Sequence, residues 1–107
     1  MEELQNQLLL ELNKLITHLE KYNVSSWVII FKKIESQIDN GNRLGIDALK
    51  NMRGGMGSFT DLVISAINGH NVKKEEENQA NNQLMLLSNS VFTTVDKLNR
   101  LLNKKSV

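Results

Sequence analysis

Apolar residues recur every three or four positions through most of this chain, and that spacing places them on one face of an α-helix. The pattern is fullest in residues 2–22, where the apolar stripe consists of Leu4, Leu8, Leu12, Leu15, Leu19 and Tyr22. A second stripe runs from Trp27 to Ile38, with a serine N-cap before it and Asn40-Gly41 to end the helix. The chain contains no proline, so neither helix need be interrupted. The sequence therefore predicts two amphipathic helices, each with a buried face.

Two short helices are predicted in the middle of the chain. The first covers residues 43–52 and has Asn42 as its N-cap. The second covers residues 59–67, because Ser58 followed by Asp61 resembles a capping box and the apolar spacing after it is again helical.

The last predicted helix is long, since residues 74–103 carry a near-heptad apolar stripe. The members of this stripe are Leu84, Leu87, Val91, Val95, Leu98 and Leu102. A helix of about 30 residues would be about 45 Å long, whereas a compact chain of this size has a diameter of about 34 Å. We therefore predict that the polar residues 70–83 form a loop or a helical overhang. The whole chain, residues 1–107, is expected to fold as a single all-α domain, a compact antiparallel helical bundle of three long helices and two short ones.

The composition excludes several classes of function. Without cysteine, the chain can form no disulfide, thiolate zinc site or thiol nucleophile. A net charge of +1, with only one Trp, one Tyr and three Phe residues, argues against binding of nucleic acid. No apolar run reaches the length of about 18 residues that suggests a membrane span. We expect no nucleic-acid partner, no membrane partner and a cytoplasmic location.

The most specific local feature is a glycine cluster between the two short helices. Three of the six glycines fall within four positions, namely Gly54, Gly55 and Gly57. Backbone N–H groups in such a segment, at a helix N-terminus and beside Arg53, can bind an anion. The other interpretation is an interhelical turn in which Met56 points inward as an apolar plug. The candidate binding residues are Arg53, Gly54, Gly55, Met56, Gly57, Ser58, Asp61 and Trp27.

No catalytic set is predicted. His18 and His70 lie on different segments, and neither has a neighbour at metal-ligand spacing. Asp47 and Asp61 could meet across the glycine cluster as a carboxylate pair, although capping a helix is the simpler role for Asp61. Trp27 is expected in the core, with a binding anchor as the alternative. We expect no catalytic residue, no metal and no cofactor.

The run from Gly54 to Leu62, taken with Trp27, resembles a family of small, uncharacterised bacterial helical proteins. They carry a tryptophan on the second helix and a Gly-Gly-Met-Gly-Ser-(Leu or Phe)-x-Asp-Leu motif, often with Asn at the position where this chain has Thr60. The resemblance implies a helical fold and a bacterial origin. Small cytosolic proteins of this kind include immunity proteins and adaptors.

Three hypotheses for function follow. The leading one is a non-enzymatic bacterial cytosolic binding protein, immunity-like or regulatory, that engages a protein partner near the glycine-rich turn. The second is a domain that binds phosphate or another small molecule at the turn from Arg53 to Asp61. The third is a helical homodimerisation module, in which the wide apolar faces of the first and last helices of two copies complete one another.

Overall fold

The computed structural model describes residues 2–52 and 59–105, with side chains as far as residue 103. This part of the chain is all-α and contains no strand. Its elements are helices α1 (Glu2–Lys21), α2 (Ser25–Asp39), α3 (Leu44–Asn51) and α4 (Glu77–Lys105) and the 3₁₀ helices Phe59–Asp61 and Lys74–Glu76. The predicted fold class and the three long helices are confirmed. Of the two predicted short helices, the first is confirmed as α3.

α1 packs against both α2 and α4, and α3 also contacts α2 and α4. The predicted stripes form the core. Its buried members include Leu8, Leu12, Leu15, Leu19, Phe31, Ile34, Ile38, Leu84, Val91, Val95 and Leu98. The stripes of α1 and α4 are therefore buried within one chain, and a dimer built on those two faces would have to open the bundle.

The junction between α1 and α2 is closed by an asparagine. Asn23 has a φ of +59°, the left-handed conformation that glycine and asparagine tolerate best. Its N–H donates to the Glu20 carbonyl, and the Val24 N–H donates to the Leu19 carbonyl, which together form a Schellman motif. Val24 and Leu19 are both buried. Val24 is also the N-cap of α2, with no side-chain cap bond, so the predicted serine N-cap is wrong: α2 begins at Ser25, directly after the residue that closes the Schellman motif.

The junction between α2 and α3 uses the predicted glycine. Gly41 has a φ of +73°. Its N–H donates to the Ile38 carbonyl at 3.0 Å, and the Asn42 N–H donates to the Gln37 carbonyl at 2.7 Å, a second Schellman motif. The Asn42 Oδ1 atom then accepts a hydrogen bond from the Leu44 N–H at 3.0 Å. The N-cap of α3 is Arg43 and not the predicted Asn42, because the Asn42 side chain bonds two residues ahead and precedes the helix by one more residue.

The helix predicted over residues 59–67 does not form. Only Phe59–Asp61 is helical, as one 3₁₀ turn closed by a hydrogen bond from the Leu62 N–H to the Phe59 carbonyl, and residues 62–65 are not helical. The side chain of Asn81 on α4 holds both backbone groups of Ile64, accepting from its N–H at 2.8 Å and donating to its C=O at 2.9 Å. These tertiary bonds occupy groups that a helix would use, and they override the local apolar spacing.

α4 has 29 residues and is about 44 Å long. The molecule accommodates it lengthwise, because its extents are 50 × 24 × 19 Å, so the estimate for a spherical domain was too small. Residues 70–83 are divided between a loop, the 3₁₀ helix Lys74–Glu76 and the first turns of α4. Ala80 in these turns is buried, and His18 Nε2 donates to its carbonyl at 2.9 Å, so this end of α4 is attached to α1. Among the helices of the described ranges, none combines the length and hydropathy of a bilayer-spanning segment.

Candidate functional site

Most of the predicted glycine site lies outside the described residues: Arg53, Gly54, Gly55, Met56, Gly57 and Ser58. The residues on either side of it are described. The Phe59 N–H donates to the Met52 carbonyl at 3.2 Å. This hydrogen bond holds the last residue before the glycine segment beside the first residue after it.

Trp27 lies beside this closure. Its ring packs edge-on against Phe59, with centroids 5.0 Å apart, and at a tilt against Phe31 at 6.0 Å. Phe59 also contacts Phe31 at 4.9 Å and Phe92 at 6.2 Å. We call Trp27, Phe31, Phe59 and Phe92 the aromatic cluster. The structure therefore brings Trp27 next to the end of the glycine motif, with its ring partly buried against the core.

The carboxylates of the predicted pair belong to separate elements. Asp61 is the exposed last residue of the 3₁₀ helix Phe59–Asp61. Asp47 is on α3, where its Oδ1 lies 3.9 Å from Nε of Arg43, with both side chains about half exposed. Asp61 is thus in a 3₁₀ turn and not in the predicted α-helix, and Ser58, the other member of the predicted capping box, lies outside the described residues.

Both histidines make hydrogen bonds to the backbone. His18 Nε2 donates to the Ala80 carbonyl, and the His18 ring packs edge-on against Tyr22 at 5.1 Å. His70 Nδ1 accepts a hydrogen bond from the Ser65 N–H at 3.1 Å. Within the described ranges, no three His, Asp or Glu side chains are grouped so that they could hold a metal ion.

An apolar groove of about 500 Å³ lies between residues 59–63 and α4. It is lined by Phe59, Thr60, Leu62, Val63, Asn81, Leu84, Met85, Ser88, Asn89 and Phe92. Phe59, Leu84 and Phe92 are buried, whereas Val63 and Met85 are 52% and 55% exposed. None of these ten lining residues is titratable. The groove can therefore offer apolar contact and a few neutral hydrogen-bonding groups, which suits binding and supplies no acid or base.

Sequence reasoning missed this groove, although a signal was present. Met85 and Phe92 are seven residues apart on α4 and lie beside the predicted stripe, not in it. Two such extra apolar positions widen the apolar face of α4 beyond what its packing against α1 needs. The other wall could not be found, because residues 59–63 were predicted as part of a helix.

The non-helical wall of the groove is fixed by side chains that act as backbone partners. Asn81 holds Ile64, as described above, and its Nδ2 also donates to the Glu77 carbonyl at 2.8 Å. On the other side of Ile64, Asn68 Nδ2 donates to the Val63 carbonyl at 3.0 Å. The shape of the groove is therefore set before any ligand arrives.

A second depression, of about 600 Å³, lies between α1 and α2. Its walls include exposed ionic side chains, among them Lys32 and Asp39, together with Leu10. None of the described residues that line this depression is aromatic, and the backbone of none is held by a side chain from another element as that of Ile64 is held by Asn81. The groove beside α4 is therefore the better candidate site.

Comparison with known proteins places the family boundary inside this site. Residues 20–73 match the model of DUF6966, a domain of unknown function. The matched residues include α2, α3 and the 59–63 wall of the groove, while the α4 wall lies beyond them. No match was found among curated proteins or among solved structures.

Proposed function

This chain belongs to the DUF6966 family, a domain of unknown function, and we propose that it is a non-enzymatic module that binds a protein chain in the groove beside α4. The observation that carries the proposal is the combination of an apolar, preformed groove with ten described lining residues, none of which is titratable. Such a site can hold an apolar side chain of another protein, because burial is the main free energy it offers.

The position of the groove supports binding close to the glycine-rich turn. Phe59 is a floor residue of the groove and directly follows the glycine segment. It also contacts Trp27, the other residue singled out by the motif. A partner seated in the groove would therefore lie against the aromatic cluster, one member of which directly follows the glycine segment.

The proposal includes a bacterial, cytoplasmic setting and a regulatory or immunity-like role, in which binding is itself the activity. The lack of cysteine supports a reducing compartment, since nothing in the chain depends on oxidation. The near-neutral net charge of +1 supports a partner recognised by shape and apolar contact, with little long-range electrostatic attraction.

Site-directed photo-crosslinking in the host cell tests the proposal. A benzophenone amino acid is introduced at Met85, which lines the groove, or at Leu86, which does not. The two positions are matched, because they are neighbours on α4 and are 55% and 59% exposed. We expect position 85 to give one adduct of defined mass and position 86 to give none.

A second change makes the result specific to the groove. Val63→Asp places a charge on the opposite wall, and we expect it to abolish the adduct from position 85 while the helical circular dichroism stays unchanged. No adduct from position 85, or the same adducts from both positions, would contradict the proposed function.

A further inference from the structure

The turn that follows the groove wall presents an isoleucine to solvent. Ile67 is 96% exposed and is the most exposed large apolar side chain in the described part of the chain. A single exposed isoleucine is ordinary on a protein surface. Two further observations make this one different: the turn around it is fixed by hydrogen bonds, and an apolar groove lies next to it.

Hydrogen bonds fix the turn over residues 65–70 at both ends. His70 N–H donates to the Ser65 carbonyl at 3.2 Å, and the Ser65 N–H donates back to His70 Nδ1. The Ala66 N–H donates to Glu77 Oε1 at 2.9 Å, which ties the turn to the start of α4. Gly69, with a φ of +81°, completes the reversal. Because the turn is already ordered, burying Ile67 would cost little conformational entropy beyond that of its own side chain.

The turn is attached directly to the rim of the groove. Asn68, the residue after Ile67, donates from Nδ2 to the carbonyl of Val63, which is a groove residue. A protruding apolar side chain is therefore carried by a turn that is attached to the wall of an apolar recess. Two copies related by a two-fold axis can place each protruding side chain over the recess of the other, which is the arrangement of a self-complementary interface.

We propose that the occupant of the groove is Ile67 of a second copy of this chain, so that two copies form a symmetric dimer with reciprocal Ile67-in-groove contacts. The inference rests on the proposed function, because it names the occupant of the same groove. The chemistry matches on both sides: an aliphatic side chain meets a described lining in which six of the ten residues are Leu, Val, Met or Phe, the other four are neutral polar residues, and none is titratable. A net charge of +1 per chain leaves little repulsion between two copies.

The partner copy completes the site in this arrangement. Without it, Val63 and Met85 remain half exposed at the groove and Ile67 is exposed almost entirely. With it, all three lose contact with water together. The α1 and α4 stripes take no part, since they are already buried inside each chain.

Sedimentation velocity of the full chain, from about 1 to 200 µM, tests the dimer. We expect a concentration-dependent shift from monomer to dimer. Ile67→Asp should raise the dissociation constant by at least about 100-fold, because a buried isoleucine is worth roughly tenfold or more and the substitution acts at two symmetric contacts. Ile29→Asp is the matched control, since Ile29 is 70% exposed on α2 and does not line the groove, and it should leave the dissociation constant unchanged.

Mixing two defective variants tests the reciprocity. Ile67→Asp keeps the groove and loses the protruding side chain, whereas Met85→Asp keeps the side chain and loses the groove. An equal mixture should associate more strongly than either variant alone and less strongly than the wild type, because one of the two contacts is restored. A mixture no stronger than its components would overturn the inference, as would a wild-type chain that stays monomeric or equal weakening by Ile29→Asp.

Failure of the dimer and failure of the proposed function give different results. If the wild-type chain is monomeric and position 85 crosslinks a different protein, the dimer is refuted and groove binding stands. If position 85 forms no adduct in cells, the proposed function itself fails. An adduct with the mass of two copies of the chain supports both.

Discussion

The hydrogen bonds from Asn81 to the backbone of Ile64 are not indicated by any local sequence pattern. Their removal tests whether they hold residues 62–65 in the non-helical conformation. Asn81→Ala deletes the acceptor for the Ile64 N–H and the donor for the Ile64 C=O. Ile64 is fully buried, so both backbone groups would be left without a protein partner and with little access to water. Each unsatisfied group costs about 1–3 kcal/mol.

The net effect is smaller than the sum of these costs for one reason. Alanine is a better helix former than asparagine, and Asn81 is in α4, so the substitution returns about 0.5 kcal/mol. We expect a loss of about 2–4 kcal/mol in the free energy of unfolding. For a chain of this length, with a stability of about 5–15 kcal/mol, the variant stays folded at 25 °C.

Urea unfolding, followed by circular dichroism and by Trp27 fluorescence, measures this loss. Hydrogen exchange at the Ile64 amide localises it, because that amide should lose protection more than the amides of α1. Asn82→Ala is the matched control: it is the same substitution, one residue along α4, at an exposed side chain, and should change stability by less than about 0.5 kcal/mol. Equal small effects of the two substitutions, with Ile64 still protected, would refute the role assigned to Asn81.

Two backbone positions give further predictions. Gly45→Ala should destabilise the protein by about 1–3 kcal/mol in urea unfolding, although alanine has the higher helix propensity. The reason is that the new Cβ would lie 2.8 Å from Ile38 Cγ1 and 3.0 Å from the Ile34 carbonyl oxygen. Unchanged or raised stability would show that α2 and α3 can separate at no cost. Asn23→Gly should leave stability within about 0.5 kcal/mol of wild type, whereas Asn23→Ala should lower it by about 1 kcal/mol, because alanine disfavours the positive φ at this position. Thermal unfolding of the two variants side by side measures which is less stable, and equal effects would contradict the prediction.

The helices were predictable because their signals are local. The apolar stripe of α1 continues over five turns, and no tertiary contact competes with it. The stripe of α2 is equally regular, and Gly41 marks the end of that helix in the sequence. The cap at Asn23 was not found, since an asparagine in a left-handed conformation looks like any other asparagine in the sequence. Burial of Val24 against Leu19, which fixes that cap, becomes visible only when α1 and α2 pack together.

The error over residues 59–67 has a different cause. The apolar spacing there would put Val63 and Ile67 on one buried helical face, but in the structure both are exposed and Ile64 between them is buried. The deciding residue is Asn81, which is 17 positions away in the sequence. Its side-chain amide makes hydrogen bonds to the N–H and the C=O of Ile64. No local pattern contains that information. The same error concealed the groove, because one of its walls exists only where the helix does not.

The structure gives the two marked features of the sequence one shared role at the base of the groove. Phe59 occupies the Leu-or-Phe position of the glycine motif; it contacts Trp27 on one side and Phe92 on the other. Trp27 and Phe59 thus join α2 to α4 beneath the groove, and both lie within residues 20–73, which match the family. The opposite wall is on α4, where the groove is lined both by buried core residues such as Leu84 and by exposed residues such as Met85. For the proposed binding function, we therefore expect that substitution of the exposed α4 residue Met85 changes what the groove accepts while the core stays intact.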